Sequence, residues 1–275
     1  MKQRKFSVGA LSIVMAFCLS ISGVAREARD IVIAGSTTVL PIAQKAAEVF
    51  MKKHPGTKIS VMGGGSGVGI ASLIDGHCDI ASASRAMKAA EIQKAQARGI
   101  QPKAHTVALD GIAVVVHPSN PVSNLSIQQI KDIYSGAISD WKVVGGNPGK
   151  IVVLSRDTAS GTYEAFGELV LKKARVRPDA LMQASNQAIA SVVAKTVGAI
   201  GYVGLGYLSN QVKAVSVNGV LPSVETVLSG KYPVSRPLFM YTNGAPSGIL
   251  KDFLDFVKGA EGQRLVAGDG FVPLK

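Results

Sequence analysis

The chain has 275 residues, 47% of them hydrophobic, with 30 lysines and arginines against 18 acidic residues and a formal net charge of +12. That length can bury a full core and suits one large or two small domains, and two cysteines are too few for a disulfide-built scaffold. The basic residues are dispersed and aromatics make up only 5% of the sequence, so the charge reads as a solvated surface that steers anions, with no nucleic-acid partner.

Residues 1–25 read as a secretory signal: Lys2, Arg4 and Lys5 precede an apolar core from Val8 to Ile21 and a small-residue end at Gly23-Val24-Ala25. The mature, periplasmic chain is expected to begin near Arg26. Phe17 stands before Cys18 where a lipid-attachment site places a small residue, so Cys18 leaves with the signal and Cys78 stands alone as a small buried hydrophobe. No later apolar run reaches the roughly 18 residues that span a bilayer.

Beyond the signal, short apolar runs alternate with amphipathic stretches, the pattern of an α/β protein with mixed, mainly parallel sheets. The predicted strands are Ile31 to Ala34, Lys58 to Met62, Asp79 to Ala81, Ile112 to Val116, Ile151 to Leu154, Ala199 to Val203 and Leu238 to Tyr241. Val39, Ala43, Ala46 and Phe50 keep helical spacing, with Pro41 tolerated early and His54-Pro55-Gly56 ending the helix. Ile127, Ile130, Ile133 and Tyr134 do the same behind a Ser126/Gln129 capping box. The Pro118 to Pro121 segment, and the run before Leu238 with Pro233 and Pro237, are candidate crossings between two lobes. One lobe would comprise residues 26–112 plus 238–275 and the other 113–237, with a ligand cleft between them.

Four loops at strand ends could carry chemistry: Gly35-Ser36-Thr37-Thr38, Gly63-Gly64-Gly65-Ser66-Gly67, Ser82-Ala83-Ser84-Arg85, and Ser155-Arg156-Asp157-Thr158-Ala159-Ser160-Gly161-Thr162. The last gathers a fixed cation, hydroxyls and backbone amides at a helix start, which suits an oxyanion. Each loop alone could be an ordinary cap; four together, two with arginine, argue for more. The glycine loop lacks the Gly-Lys-Ser/Thr ending of a nucleotide-binding loop and the acidic residue of a dinucleotide fold. Ser160 lies outside a Gly-x-Ser-x-Gly elbow, the four histidines have no visible nucleophile partner, and no cluster has metal-ligand spacing. No catalytic residue, metal or cofactor is expected.

With these loops in order, the chain resembles the periplasmic phosphate-binding proteins of ABC phosphate transporters, the PstS type in its shorter form. The resemblance spans nearly the whole mature chain. It is carried by Gly35 to Pro41, Gly65-Ser66-Gly67, Ala81 to Arg85, Asp110 to Val116 followed by Pro118 to Pro121, Arg156 with Ser160-Gly161-Thr162, and Gly198 to Val203. It implies a two-lobed binding protein of the second periplasmic class, a monomer that closes on inorganic phosphate and delivers it to ABC permease membrane subunits. It also implies contacts from Thr37, Thr38, the Val39 amide, Ser66, Ser84, Arg156, Ser160, Gly161 and Thr162. Well-known members place an aspartate in the third loop to accept the proton of hydrogen phosphate, where this sequence has Ser84 and then Arg85. Asp110 and Asp157 are the candidates to replace it, Asp110 alternatively forming an Asp-Gly turn and Asp157 alternatively orienting Arg156. Arg85 is expected either to pair with Asp157 or to touch the anion. Sulfate or molybdate binding, a phosphatase and polyanion binding are the competing readings.

Overall fold

The structure, a computed structural model, describes residues 30–274. The expected export signal over residues 1–25 lies outside the described residues. β1 (Asp30–Gly35) leads into α1 (Leu40–Lys53), which carries Pro41 in its first turn, where the missing amide costs no helical bond. Ile42, Ala43, Ala46, Ala47 and Phe50 form its buried face, following the predicted spacing. β2 (Lys58–Met62), α2 (Ser66–Ile74), β3 (Ile80–Ala83) and α3 (Ala89–Ala97) follow, and β1 pairs in parallel with both β2 and β3.

Next comes β4 (Pro102–Val116), 15 residues long and extending far ahead of the predicted Ile112 to Val116. Its first part alternates polar and apolar residues and so lacks the continuous apolar run that marks the rest. Asp110 therefore lies inside a strand rather than in an Asp-Gly turn or just ahead of a strand. β5 (Asn124–Leu125) precedes α4 (Ile127–Ser135), which is opened by the predicted capping box, Ser126 and Gln129 each accepting from the other's backbone amide. β6 (Val152–Arg156), α5 (Gly161–Phe166), β7 (Leu181–Gln183), α6 (Asn186–Val193), β8 (Ala199–Gly204), β9 (Lys213–Val217) and α7 (Val224–Leu228) build the middle of the chain. β10 (Ser235–Asn243), α8 (Gly248–Lys258) and α9 (Ala260–Gly268) close it.

The sheet runs β2-β1-β3-β10-β4-β8-β6-β7, with β9 also on β4 and β5 on β9. β4 pairs antiparallel with β10 from Pro102 to Gly111 and then with β8 from Ile112 to Val116. That change of partner divides the molecule into two lobes. One has hydrophobic clusters around Ile33, Phe50, Leu238 and Phe253 and around Ile70, Ala81 and Tyr241. The other has a separate core of Val114, Tyr134, Phe166, Ile189, Tyr202 and Val215, in which the Phe166 and Tyr202 rings stack with centroids 4.1 Å apart. β5, β7 and β9 escape prediction because they are short and bordered by polar turns, so they show no diagnostic run.

Gly35 ends β1 with φ +133°, and a Cβ there would lie 2.2 Å from the Ser82 carbonyl oxygen of the adjacent strand. Only glycine fits this point, which starts the first functional loop. Gly35→Ala should lower unfolding stability by roughly 2–4 kcal/mol through backbone strain and collision. Urea denaturation measures it, and a loss below about 1 kcal/mol would show that the strand pair relaxes.

Candidate functional site

Three strand ends of the first lobe meet one of the second. The Ser36 amide donates to the Ser82 carbonyl at 2.9 Å and the Gly65 amide to the Gly35 carbonyl at 2.9 Å, which ties the loops after β1, β2 and β3 together. Ser36 Oγ accepts from the amides of Thr38 (3.1 Å) and Val39 (3.4 Å), so the Val39 amide is already loosely engaged. From the second lobe, Ser160 caps α5 by accepting from the Tyr163 amide, and the Gly161 and Thr162 amides open the helix without intrahelical partners. The loops touch across the cleft: the Gly67 amide donates to the Ala159 carbonyl at 2.9 Å, and the Thr38 and Thr162 hydroxyls lie 3.0 Å apart. Gly161 sits at this contact, where a Cβ would fall 2.3 Å from Ser66 Oγ and 2.8 Å from Ser84 Oγ.

Arg156 ends β6 only 1% exposed. Its Nε and Nη2 donate to the carbonyls of Gln183 and Ala184, each at 2.9 Å, while its buried Nη1 has no partner among the described residues. Burial lowers its pKa, the Arg236 charge adds to that, and Asp157 opposes it. A guanidinium fixed at two points and unsatisfied at a third is a preformed half of an anion contact. Asp157 Oδ1 accepts from the Ala159 amide at 2.9 Å, which shapes the loop.

Two polar groups that sequence reasoning missed complete the cluster. Arg236, on β10 and 6% exposed, donates from Nε (3.2 Å) and Nη2 (2.9 Å) to Asp110 Oδ2, and from Nη1 to the Ser84 carbonyl (3.1 Å). Its Nη2 also reaches the hydroxyls of Thr162 (3.0 Å) and Thr38 (3.3 Å). Asp110 is fully buried and its other oxygen accepts from the Leu205 amide at 2.9 Å. Burial raises the Asp110 carboxyl, while Arg236 and the Leu205 amide pull it down. Asn186, the first residue of α6, donates from Nδ2 to the hydroxyls of Thr37 (3.1 Å) and Thr38 (3.0 Å). Arg236 falls in the proline-bearing run before Leu238, which reads in sequence as a crossing between lobes and not as part of a site, and Asn186 reads in sequence only as part of a helix start.

The structure thus brings Thr37, Thr38, Val39, Ser66, Ser84, Arg156, Ser160, Gly161 and Thr162 to one seam between the lobes. A family model described as the PBP superfamily domain matches residues 21–261. A phosphate-binding protein PstS from Bacillus subtilis is 32% identical over 260 residues, covering 93% of this chain and 84% of that protein. One from Staphylococcus epidermidis is 35% identical, covering 83% of this chain and 74% of its own length. Among solved structures, an ABC transporter substrate-binding protein from Clostridium perfringens, described as having bound phosphate, is 37% identical. It superposes with a TM-score of 0.85, over 90% of this chain and 100% of that one. The chain belongs to the PstS family of phosphate-binding proteins.

Against the family's expected aspartate in the third loop, this PstS-family chain has Ser84 there, and neither alternative carboxylate is free of protein partners. Asp110 serves Arg236 and Leu205, and Asp157 serves Ala159. Arg85 pairs with neither Asp157 nor the cleft interior. It makes a two-point contact with Glu91 (2.8 and 2.7 Å), and its Nε lies 2.9 Å from Glu164 on α5, which Lys88 also approaches at 2.9 Å. Because Arg85 belongs to the first lobe and Glu164 to the second, this network is a clasp over the seam. Burial alone would raise Glu91, but Arg85 and the Lys88 amide outweigh it and hold the carboxyl below its ordinary value of 4.5.

A depressed carboxyl contributes stability above its unfolded value and loses it as pH falls through the folded one. The Arg85 and Glu91 contribution should therefore be complete at neutral pH and decline as pH falls below 4.5 toward the lowered folded value. Arg85→Met should lower stability by about 1 kcal/mol at pH 7 and by less near pH 3. Urea midpoints at both values check this; an equal loss at both would assign the effect to packing.

Proposed function

We propose that this chain is an exported receptor that binds inorganic phosphate between its lobes and presents it to the membrane subunits of an ABC importer. The observation that carries the reading is the unpaired Nη1 of the buried Arg156, which feels the charge of Arg236 in the cluster that joins the lobes. Its relatives bear the name phosphate-binding protein, and the structure from Clostridium perfringens is described with phosphate bound. In this reading Arg156 supplies the charge, Thr37, Thr38, Ser66, Ser84, Ser160 and Thr162 supply hydroxyls, and the amides of Val39, Gly161 and Thr162 complete the shell. The lobes correspond to the two sets of hydrophobic cores, joined by β4 and β10, and closure about these strands is what the permease reads.

Transport rather than turnover fits the site's chemistry. A nucleophile needs a free lone pair and a base, and the hydroxyls here lie against N–H donors. Among the described residues no helix is long and apolar enough to cross a membrane. A second reading, another tetrahedral oxyanion such as sulfate, is favoured by Ser84 at the expected aspartate position and by the engagement of both Asp110 oxygens.

Purified protein should bind phosphate with micromolar or better affinity, about −8 kcal/mol. Arg156→Met should weaken it about 100-fold by removing a charge-assisted contact. Titration calorimetry with phosphate, and with sulfate as competitor, measures both. Unchanged phosphate affinity in the variant would dismiss the site, and stronger sulfate binding would select the second reading.

A further inference from the structure

Asn186 reaches across the seam from outside the four cleft loops. It is fully buried as the first residue of α6, in the second lobe. The Gly204 amide can only donate, so the side-chain oxygen of Asn186 faces it, at 3.2 Å, and Nδ2 points to the first lobe. The two Nδ2 hydrogens meet two acceptors, Thr37 Oγ1 at 3.1 Å and Thr38 Oγ1 at 3.0 Å. Each threonine hydroxyl keeps its own proton for another partner. Gly204 makes the approach possible, since a Cβ there would fall 2.9 Å from Thr38 Cγ2.

The segment that carries Asn186 also holds the cation. Arg156 Nε and Nη2 donate to the carbonyls of Gln183 and Ala184, and Gln183 is the register partner of Arg156 in the pair of β6 and β7. Ser185 then caps α6 by accepting from the Ala188 amide at 3.0 Å. Residues 183–186 thus form one unit of the second lobe, tied to Arg156 by two carbonyls and to the first lobe's threonines by one side-chain amide.

Resting on the phosphate reading, we propose that Asn186 is a positioning residue that sets how slowly phosphate leaves. It acts through Thr37 and Thr38, joining them to the unit that holds Arg156 once the lobes are closed. In the open chain Nδ2 and the two hydroxyls return to water. On closure their hydrogen bonds form alongside those of the anion and prolong the closed complex. The encounter of phosphate with the open chain does not involve them, so the effect lies in dissociation and not in association.

The test is exchange of radiolabelled phosphate from the purified chain, which gives the dissociation rate, with equilibrium dialysis for affinity; together they give the association rate. Asn186→Ala should weaken phosphate binding about tenfold, with dissociation faster by about that factor and association within about twofold of the wild type. Asn186→Ser, with one donor hydrogen in place of two, should fall between them. Urea midpoints separate positioning from a structural role: the alanine variant's loss should be clearly larger at a fixed, saturating phosphate concentration than without phosphate. An unchanged dissociation rate overturns the proposal, and so does an affinity loss carried by slower association. Equal midpoint losses with and without phosphate overturn it too, since a merely structural role produces them. If the alanine variant fails to fold, the dissociation rate of the serine variant decides. A wild-type chain that binds no phosphate would instead count against the phosphate reading itself.

Discussion

Two guanidinium groups are buried in one seam, and a single carboxylate, Asp110, is hydrogen-bonded to either of them. Taking an ion out of water costs several kcal/mol even after relaxation, so each charge must be compensated locally. Arg236 is compensated within the protein by Asp110 and the Ser84 carbonyl. Arg156 has two carbonyls but an unsatisfied Nη1, and it feels the Arg236 charge as repulsion. Bringing the lobes together without an anion thus stacks like charge in a dry site, and an anion reverses the sign. Ligand binding and closure become one event because neither charge pattern is comfortable without the other.

The topology places this seam by necessity. β4 passes from β10 to β8 after Gly111, one residue beyond Asp110, and Arg236 is the register partner of Asp110 on β10, so the buried ion pair lies where the two lobes share strands. Arg156 and Asn186 arrive from the second lobe at the end of β6 and the start of α6, and Thr37 and Thr38 arrive from the first in the loop between β1 and α1. The peripheral clasp of Arg85, Glu91, Glu164 and Lys88 is more exposed than the seam. Pairs of that kind contribute about 0–1 kcal/mol each. The clasp therefore biases closure, while the seam decides it.

Much of this was legible in the sequence. The βα order, the capping box at Ser126, the helical face of α1 and all four loops follow from local periodicity and turn chemistry. Arg156 and its hydroxyl neighbours stood out because their donors lie within one short segment. Asp110 could be suspected, but not its partner: Asp110 and Arg236 are far apart in sequence and meet through an antiparallel register that no local pattern encodes. Asn186 was masked by its ordinary place in a helix start, and the early part of β4 by alternation that resembles a solvated edge. Arg85 was misplaced for the opposite reason. Its loop belongs to the cleft, but its side chain turns outward to Glu91 and Glu164, which local spacing cannot reveal.

The character of the contacts across the seam explains how such a receptor can both hold and release its ligand. The lobes have distinct hydrophobic clusters that meet only at a few residues, such as Tyr207, which packs against both. What joins them at the cleft is polar: Gly67 to Ala159, Thr38 to Thr162, Asn186 to Thr37 and Thr38, Tyr207 donating to the Thr37 carbonyl, and Arg85 to Glu164. Polar groups exchange protein partners for water at a net difference of only about 1 kcal/mol each, whereas prying apart an apolar interface would cost in proportion to its area. Opening is therefore cheap unless a ligand oxygen replaces the water that those donors would otherwise recover. The same economy demands that the donors be aimed before the ligand arrives, since reorienting hydroxyls during closure would consume the small margin available. Arg236 meets that demand within the strand pair it shares with Asp110, whereas the Asn186 contacts to Thr37 and Thr38 cross the seam and form only as the lobes come together.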